Sequence, residues 1–144
     1  MMKTIQLCVI GIALVLSPLT SLGSTYLGDF CWVAENPDGT LRYFKLGISQ
    51  VGGGHFSVHG LWMNEDASAK SPVSGSAELI DGEWELSVLR ADSSPDFIAF
   101  RSFHFDLGPD VNGTARVIGL NTGDNTVRQG ELPLTFTNCA NLPN

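Results

Sequence analysis

Residues 73–90 read VSGSAELI-DG-EWELSVLR, and this stretch decides the fold. Before Asp81-Gly82, Val73, Ala77 and Leu79 alternate with Ser74, Ser76 and Glu78. After it, Trp84, Leu86 and Val88 alternate with Glu83, Glu85 and Ser87. A period of two is that of a strand with one apolar and one wet face. Asp-Gly between two such runs marks a hairpin, because a type I′ turn needs positive φ at both central positions.

Outward from this hairpin the pattern repeats. Strand-like runs cover 28–34, 40–49, 55–63, 97–107, 114–120 and 130–139. They are cut by Asn36-Pro37-Asp38-Gly39, Gly52-Gly53-Gly54, and the polar or Gly/Pro-rich segments 64–72, 92–96, 108–113 and 121–129. No window sustains the 3.6-residue period of a helix. Eight short runs on short connections predict an antiparallel meander, and such a sheet must hide its edges. The expected fold is an all-β, eight-stranded antiparallel up-and-down barrel, with a β-sandwich as the alternative. Parity assigns Phe30, Trp32, Phe44, Leu46, Phe56, Val58, Trp62, Trp84, Leu86, Leu132, Leu134 and Phe136 to the interior.

The amino-terminal segment reads differently. Lys3 precedes an apolar run from Ile5 to Leu16, followed by Pro18 and the small residues Ser21 to Ser24. This is the pattern of a secretory signal peptide, expected to span residues 1–23 and to leave a single domain over 24–144. About 12 apolar residues fall short of the ~20 that a membrane-spanning helix needs. The expected location is therefore periplasmic or extracellular. In that oxidising setting Cys31 and Cys139, the two cysteines of the remaining chain, read as a disulfide. Both lie opposite the apolar parity of their runs, one on the first strand and one at the end of the last. In a closed meander those strands are neighbours, so the two sulfurs meet across the seam.

Charge narrows the partners. The 144-residue sequence carries 8 Lys+Arg against 15 Asp+Glu, a net charge of −7. Nucleic acid and anionic membranes both call for clustered basic residues, so neither is expected. A membrane-embedded barrel would carry its apolar face outward, whereas Glu78, Glu83 and Glu85 occupy the wet face here, and no membrane insertion is expected.

Motifs for catalysis and cofactors are sparse. His55 and His59 on one strand stand about 13 Å apart, too far for one zinc ion, and no metal site is expected. The Gly52–Gly54 run lacks the Gly-Lys-Ser/Thr of a phosphate loop. Asp110-Val111-Asn112-Gly113 has part of a calcium-loop spacing but no downstream Glu, and reads as a hairpin turn. No Gly-x-Ser-x-Gly is present, and the carboxylate pairs Glu83/Glu85 and Glu65/Asp66 read as a solvated face and a loop. Asn112-Gly113-Thr114 is a glycosylation sequon that matters only in a eukaryotic secretory host. No catalytic residue and no cofactor is expected.

The sixth run is unusual because both of its faces are partly apolar. Phe97, Phe103, Phe105 and Leu107 share a parity with Arg101, while Ile98 and Phe100 share the other with His104. Three readings are open: a bulge switching faces near Arg101/Ser102, an outer apolar strip, or an inward Arg101 anchoring a ligand.

An exported, disulfide-bearing, eight-strand meander with an aromatic interior and an early Trp resembles the calycin architecture of lipocalins and avidins. The likeness covers strand count and order over residues 28–139. The lipocalin opening Gly-x-Trp is here Gly28-Asp29-Phe30-Cys31-Trp32, two residues longer. In size and compartment the chain also resembles small periplasmic barrels that inhibit proteases. The resemblance implies binding rather than catalysis: a small apolar or amphipathic ligand inside the barrel, or a protein partner on its loops or on the strip around Phe103/Phe105. Small inward residues (Gly60, Gly75, Ala77, Ala115, Gly119) among large ones place the expected pocket near Trp62, Gly75 and Trp84, with Arg101 at its rim.

Overall fold

The structure, a computed structural model, describes residues 23–94 and 97–144. The expected signal peptide, apart from Gly23, lies outside the described residues. Eight strands follow in order: β1 (Thr25–Glu35), β2 (Leu41–Gly52), β3 (His55–Asn64), β4 (Lys70–Ile80), β5 (Glu83–Ser94), β6 (Phe97–Leu107), β7 (Gly113–Asn121) and β8 (Thr126–Thr137). Each pairs antiparallel with the next, and β8 returns to β1 to close the barrel. A short 3-10 turn, Cys139–Asn141, follows β8.

The turn chemistry acts as the sequence predicts. Asp81 and Gly82 both take positive φ, 52° and 88°, as do Gly53 and Gly54 at 61° and 82°. Two-residue connections of this hand match the right-handed twist of the strands they join. The longer hairpin loops are closed by aspartates whose Oδ1 accepts hydrogen bonds two residues on. Asp38 takes Thr40 N at 2.9 Å, Asp66 takes Ser68 N at 3.0 Å, and Asp124 takes Thr126 N at 3.1 Å.

The seam is the shortest pairing. β1 meets β8 over Cys31↔Thr137 to Ala34↔Leu134, four residue pairs, whereas β5 and β6 pair over eleven. The Cys31–Cys139 disulfide ties this seam, with its Cα atoms 5.2 Å apart. Cys31 has outward parity yet is fully buried, because the turn carrying Cys139 packs against β1. Cys139 therefore sits just past the last strand and not on it.

Large apolar side chains fill the middle and one end. Phe44 meets Phe103 and Phe105 edge-on at 5.0 Å, and Trp32 meets Phe105 and Phe136 at 5.9 and 5.8 Å. Phe56 and Trp84 lie 4.7 Å apart. The loop between β6 and β7 caps this closed end: Trp32 Nε1 donates to the Val111 carbonyl at 2.8 Å, and Phe136 N donates to Asn112 Oδ1 at 2.7 Å. The Asn112 side chain is thus held within the turn, and its Nδ2 donates to Asp110.

Several expectations need correction. Phe136 has inward parity but stays 40% exposed, because it lies at the rim, edge-on to Trp32. The β5–β6 register runs without a shift, so no bulge switches faces near Arg101/Ser102. Phe103 and Phe105 are buried, so the strip around them is not an outer surface. Gly60 and Gly75 do not open space. A Cβ on Gly60 would stand 1.9 Å from Lys45 O, and one on Gly75 would stand 1.8 Å from Ser87 O. Both mark places where the coiled sheet brings backbones together. Finally, β8 starts at Thr126 and not at Gly130, extending the barrel by four residues over what reads as loop.

Candidate functional site

The two ends of the barrel differ in their inward side chains. At the closed end, Phe30, Trp32, Trp84, Leu86 and Leu107 surround only about 20 Å³ of space. At the other end, beneath the β1–β2 and β7–β8 loops, lies a cavity of about 440 Å³. That volume falls within the usual range for small-molecule sites.

The cavity exists because inward positions on β6, β7 and β8 are small there. Ala99, Gly119 and Gly130 line it beside Trp62, Phe103, Val117 and Leu132. A Cβ on Gly130 would meet nothing within 4 Å, so this glycine borders open space and not a close backbone approach.

Its polar side combines arginines with Asn36, Asn121, Thr126, Gln129 and Glu131. One register row places Arg90 opposite Arg101, Arg101 opposite Gly119, and Gly119 opposite Arg128. Arg42 comes from β2, two residues before Phe44, at the same end of the barrel. Arg42, Arg101 and Arg128 line the cavity directly. The Arg90 guanidinium lies 3.5 Å from the centre of the Trp62 ring and that of Arg42 lies 5.8 Å from it, a cation–π arrangement.

Among the described residues, Arg90 alone of these four is neutralised locally. Its Nη2 is 2.8 Å from Asp92 Oδ2 and its Nε donates to Asp92 Oδ1 at 3.0 Å; Ser71 Oγ donates to the same carboxylate at 2.7 Å. The Arg90 side chain is 9% exposed, and its Nη1 is buried with no hydrogen-bond partner among the described residues. Burial pushes its pKa below the ordinary arginine value; Asp92 opposes that shift, and the Arg101 and Arg42 charges add to it. Among the described residues, Arg42, Arg101 and Arg128 have no carboxylate within 4.0 Å.

The four residues proposed from sequence therefore separate. Trp62 and Arg101 both line the cavity. Trp84 sits at the closed end against Phe56, and Gly75 lies on β4 between Val58 and Val88. Sequence reasoning missed Arg42, Arg90 and Arg128. The first two continue the apolar parity of Phe44/Leu46 and Leu86/Val88, a signal present in the sequence. Arg128 fell in a stretch read as loop.

Two other features stand outside the cavity. Ser87 Oγ lies 2.9 Å from His104 Nδ1, and His104 Nε2 lies 3.1 Å from Asp106 Oδ1. This serine–histidine–aspartate line has the order of a hydrolytic triad, but it occupies outward strand faces and borders neither cavity. Arg116 also binds Asp106, at 2.8 Å. On the outside of β5–β8, Leu89, Ile98, Phe100, Ile118 and Val127 are exposed, Val127 to 69%, as is Leu120, which also reaches the cavity's edge. No group of three metal-ligating side chains occurs among the described residues. Compared with known proteins, the chain matches no family model, no curated protein and no solved structure.

Proposed function

We propose that the chain is an exported barrel, periplasmic or extracellular, that binds a small amphipathic molecule in the cavity at its open end. The observation that carries this reading is the contrast between the two ends. One end is packed to about 20 Å³ of residual space, while the other keeps about 440 Å³ between an apolar wall and an arginine-rich rim. A barrel of eight strands has room for its own side chains or for one small ligand. An inside left unfilled at only one end fits the second case. Trp62 and Arg101 are the proposed ligand residues; Trp84 and Gly75, which do not line the cavity, have no role in this reading. The disulfide and the sequence of the first 23 residues support export. The reading is one of binding: the Ser87–His104–Asp106 line borders neither the open cavity nor the space at the closed end.

Phenylnaphthylamine, a neutral dye that brightens in apolar surroundings, tests the proposal. It is expected to bind the folded protein and quench tryptophan. Gly130→Leu, which places a side chain into the cavity, is expected to abolish binding while leaving near-UV circular dichroism intact. Trp84→Ala is expected to leave binding unchanged. Equal binding by wild type and Gly130→Leu defeats the proposal.

The alternative, a protein-interaction module without a small ligand, draws on the exposed apolar side chains of β5–β8. Native mass spectrometry of protein from its own host separates the two: a retained small mass favours the cavity, a retained protein the outer face.

A further inference from the structure

We infer that the molecule bound is an amphipathic oxyanion, with a carboxylate or phosphate head among Arg42, Arg101 and Arg128 and an apolar body against Phe103, Val117 and Leu132. The inference rests on the cavity-binding reading and deepens it.

The charge distribution is the first argument. The chain is strongly acidic, yet four of its five arginines lie at one end of the barrel on inward positions. Asp92 is the single acidic residue at an inward strand position among the described residues, and Arg90 engages it. Among the described residues, Glu131, on the outer parity of β8, is the one carboxylate at the cavity's edge. Asp38 and Asp124, in the loops above, feel Arg42 and Arg128 but are held first by Thr40 and Thr126. A concave site lined by one sign of charge focuses its field on the opposite sign.

The second argument is cost. Arg90 and Arg101 are direct cross-strand partners, and like charges placed opposite one another destabilise a sheet. Gly119 is the only residue between Arg101 and Arg128 in that row. Arg90 Nη1 is also buried without a partner among the described residues. An anion from outside offsets the repulsion that the described residues leave uncompensated.

Residue type is the third argument. All four inward cations at this end are arginine; Lys70 shares the end but stands exposed on the outward parity of β4, and Lys45 is on the outward parity of β2. The guanidinium fork matches the oxygens of a carboxylate or phosphate in pairs, which a lysine ammonium does not. Three of the four line a cavity of about 440 Å³, and the outward strand faces carry Glu78, Glu83, Glu85 and Asp106, with Arg116 and Lys45 engaged in ion pairs there. The occupant is thus a small molecule and not a nucleic acid or a bilayer.

A matched pair of dyes tests this: phenylnaphthylamine and its sulfonated counterpart, anilinonaphthalene sulfonate, share an apolar body and differ in the anionic group. The sulfonate is expected to bind about tenfold tighter at low salt, an advantage that shrinks as salt is added. Arg101→Gln and Arg128→Gln each are expected to remove most of that advantage while changing the neutral dye by less than about twofold. Octanoate and octyl phosphate are expected to displace the sulfonate far better than octanol, and the stronger of the two identifies the head group. Equal affinity for the two dyes, a preference that survives both arginine variants, or no displacement by either octyl anion overturns the oxyanion proposal and leaves cavity binding standing. If neither dye binds, or if binding is indifferent to Gly130→Leu, the cavity-binding reading itself fails and the oxyanion proposal falls with it.

Discussion

Removing the Cys31–Cys139 bridge tests where the stability of this barrel comes from. The bridge spans 108 residues, almost the full length of the barrel. In the chain-entropy account, closing a loop of that size removes about 16 cal/mol/K from the unfolded ensemble, or about 4.8 kcal/mol at 25 °C. Small domains are stable by about 5–15 kcal/mol, so the loss takes a third or more of the total. The folded side gives little of this, because the seam it ties keeps its four β1–β8 residue pairs without it. Cys31→Ala/Cys139→Ser suits the site: Cys31 is fully buried and tolerates an apolar replacement better than a hydroxyl, while Cys139 is partly exposed. Equilibrium urea unfolding followed by tryptophan fluorescence measures the effect. With a slope of about 1.5 kcal/mol per molar, the midpoint falls by about 3 M. The slope itself rises, since an uncrosslinked unfolded chain exposes more surface. Near-UV circular dichroism in the absence of denaturant stays that of the wild type. A loss under about 1.5 kcal/mol, or a large loss with altered near-UV dichroism, refutes the reasoning. The second outcome would place the stabilisation in the folded seam.

Asp92→Asn, which leaves Arg90 without its counter-charge beside Trp62, is expected to destabilise by about 3 kcal/mol in thermal or urea melts. The double variant Arg90→Met/Asp92→Asn recovers part of that loss, whereas equal losses in the two would mean that the ion pair is inert. Asp38, Asp66, Asp110 and Asp124 are all held below the ordinary carboxylate range, first of all by hydrogen bonds from the side chains of Thr40, Ser68, Asn112 and Thr126 respectively. Because their folded pKa values are depressed, their contribution is complete above the unfolded value and is lost as pH falls through the folded one. The melting temperature is therefore expected to be level from pH 7 to about 5 and to drop below about pH 4; a rise on acidification contradicts the assignment.

Where the interior is dry, the strands were legible from alternation alone. β5 begins at Glu83 and β6 spans residues 97–107, as the sequence predicts, and the Asp81-Gly82 turn takes the φ signs it requires. Parity also brought Cys31 and Cys139 together across 108 residues, since only closure of a meander makes its first and last strands neighbours. The glycines were not legible in the same way. Gly75, Gly119 and Gly130 look alike in sequence, yet one fills a backbone crossing, one lies under Arg101 and one faces open space. A glycine's role depends on how the sheet coils, which is set by all eight strands together.

The cavity end was harder to read for a related reason. Alternation separates inside from outside only while the inside is apolar. At the open end the pattern inverts: Arg101, Gly119 and Arg128 face in, while Phe100, Ile118, Leu120 and Val127 are exposed. A reader who trusts polarity then places a loop at Thr126–Gln129, as the sequence expectation did, or admits a bulge at Arg101 beside an inward arginine, as the open readings of the sixth run did. Counting residues from the dry half of each strand gives the other answer. Two steps on from Phe44 back to Arg42, from Val88 to Arg90, and from Phe103 back to Arg101 reach the same end of the barrel from three strands. Three cations that each continue an apolar parity, in an acidic chain, are a costly coincidence for a core and an economical one for a site that meets an anion. The same count carried from Leu132 through Gly130 reaches Arg128, so the polar start of β8 and the arginine rim are one feature. The residues that made the strand hard to recognise are those that line the cavity.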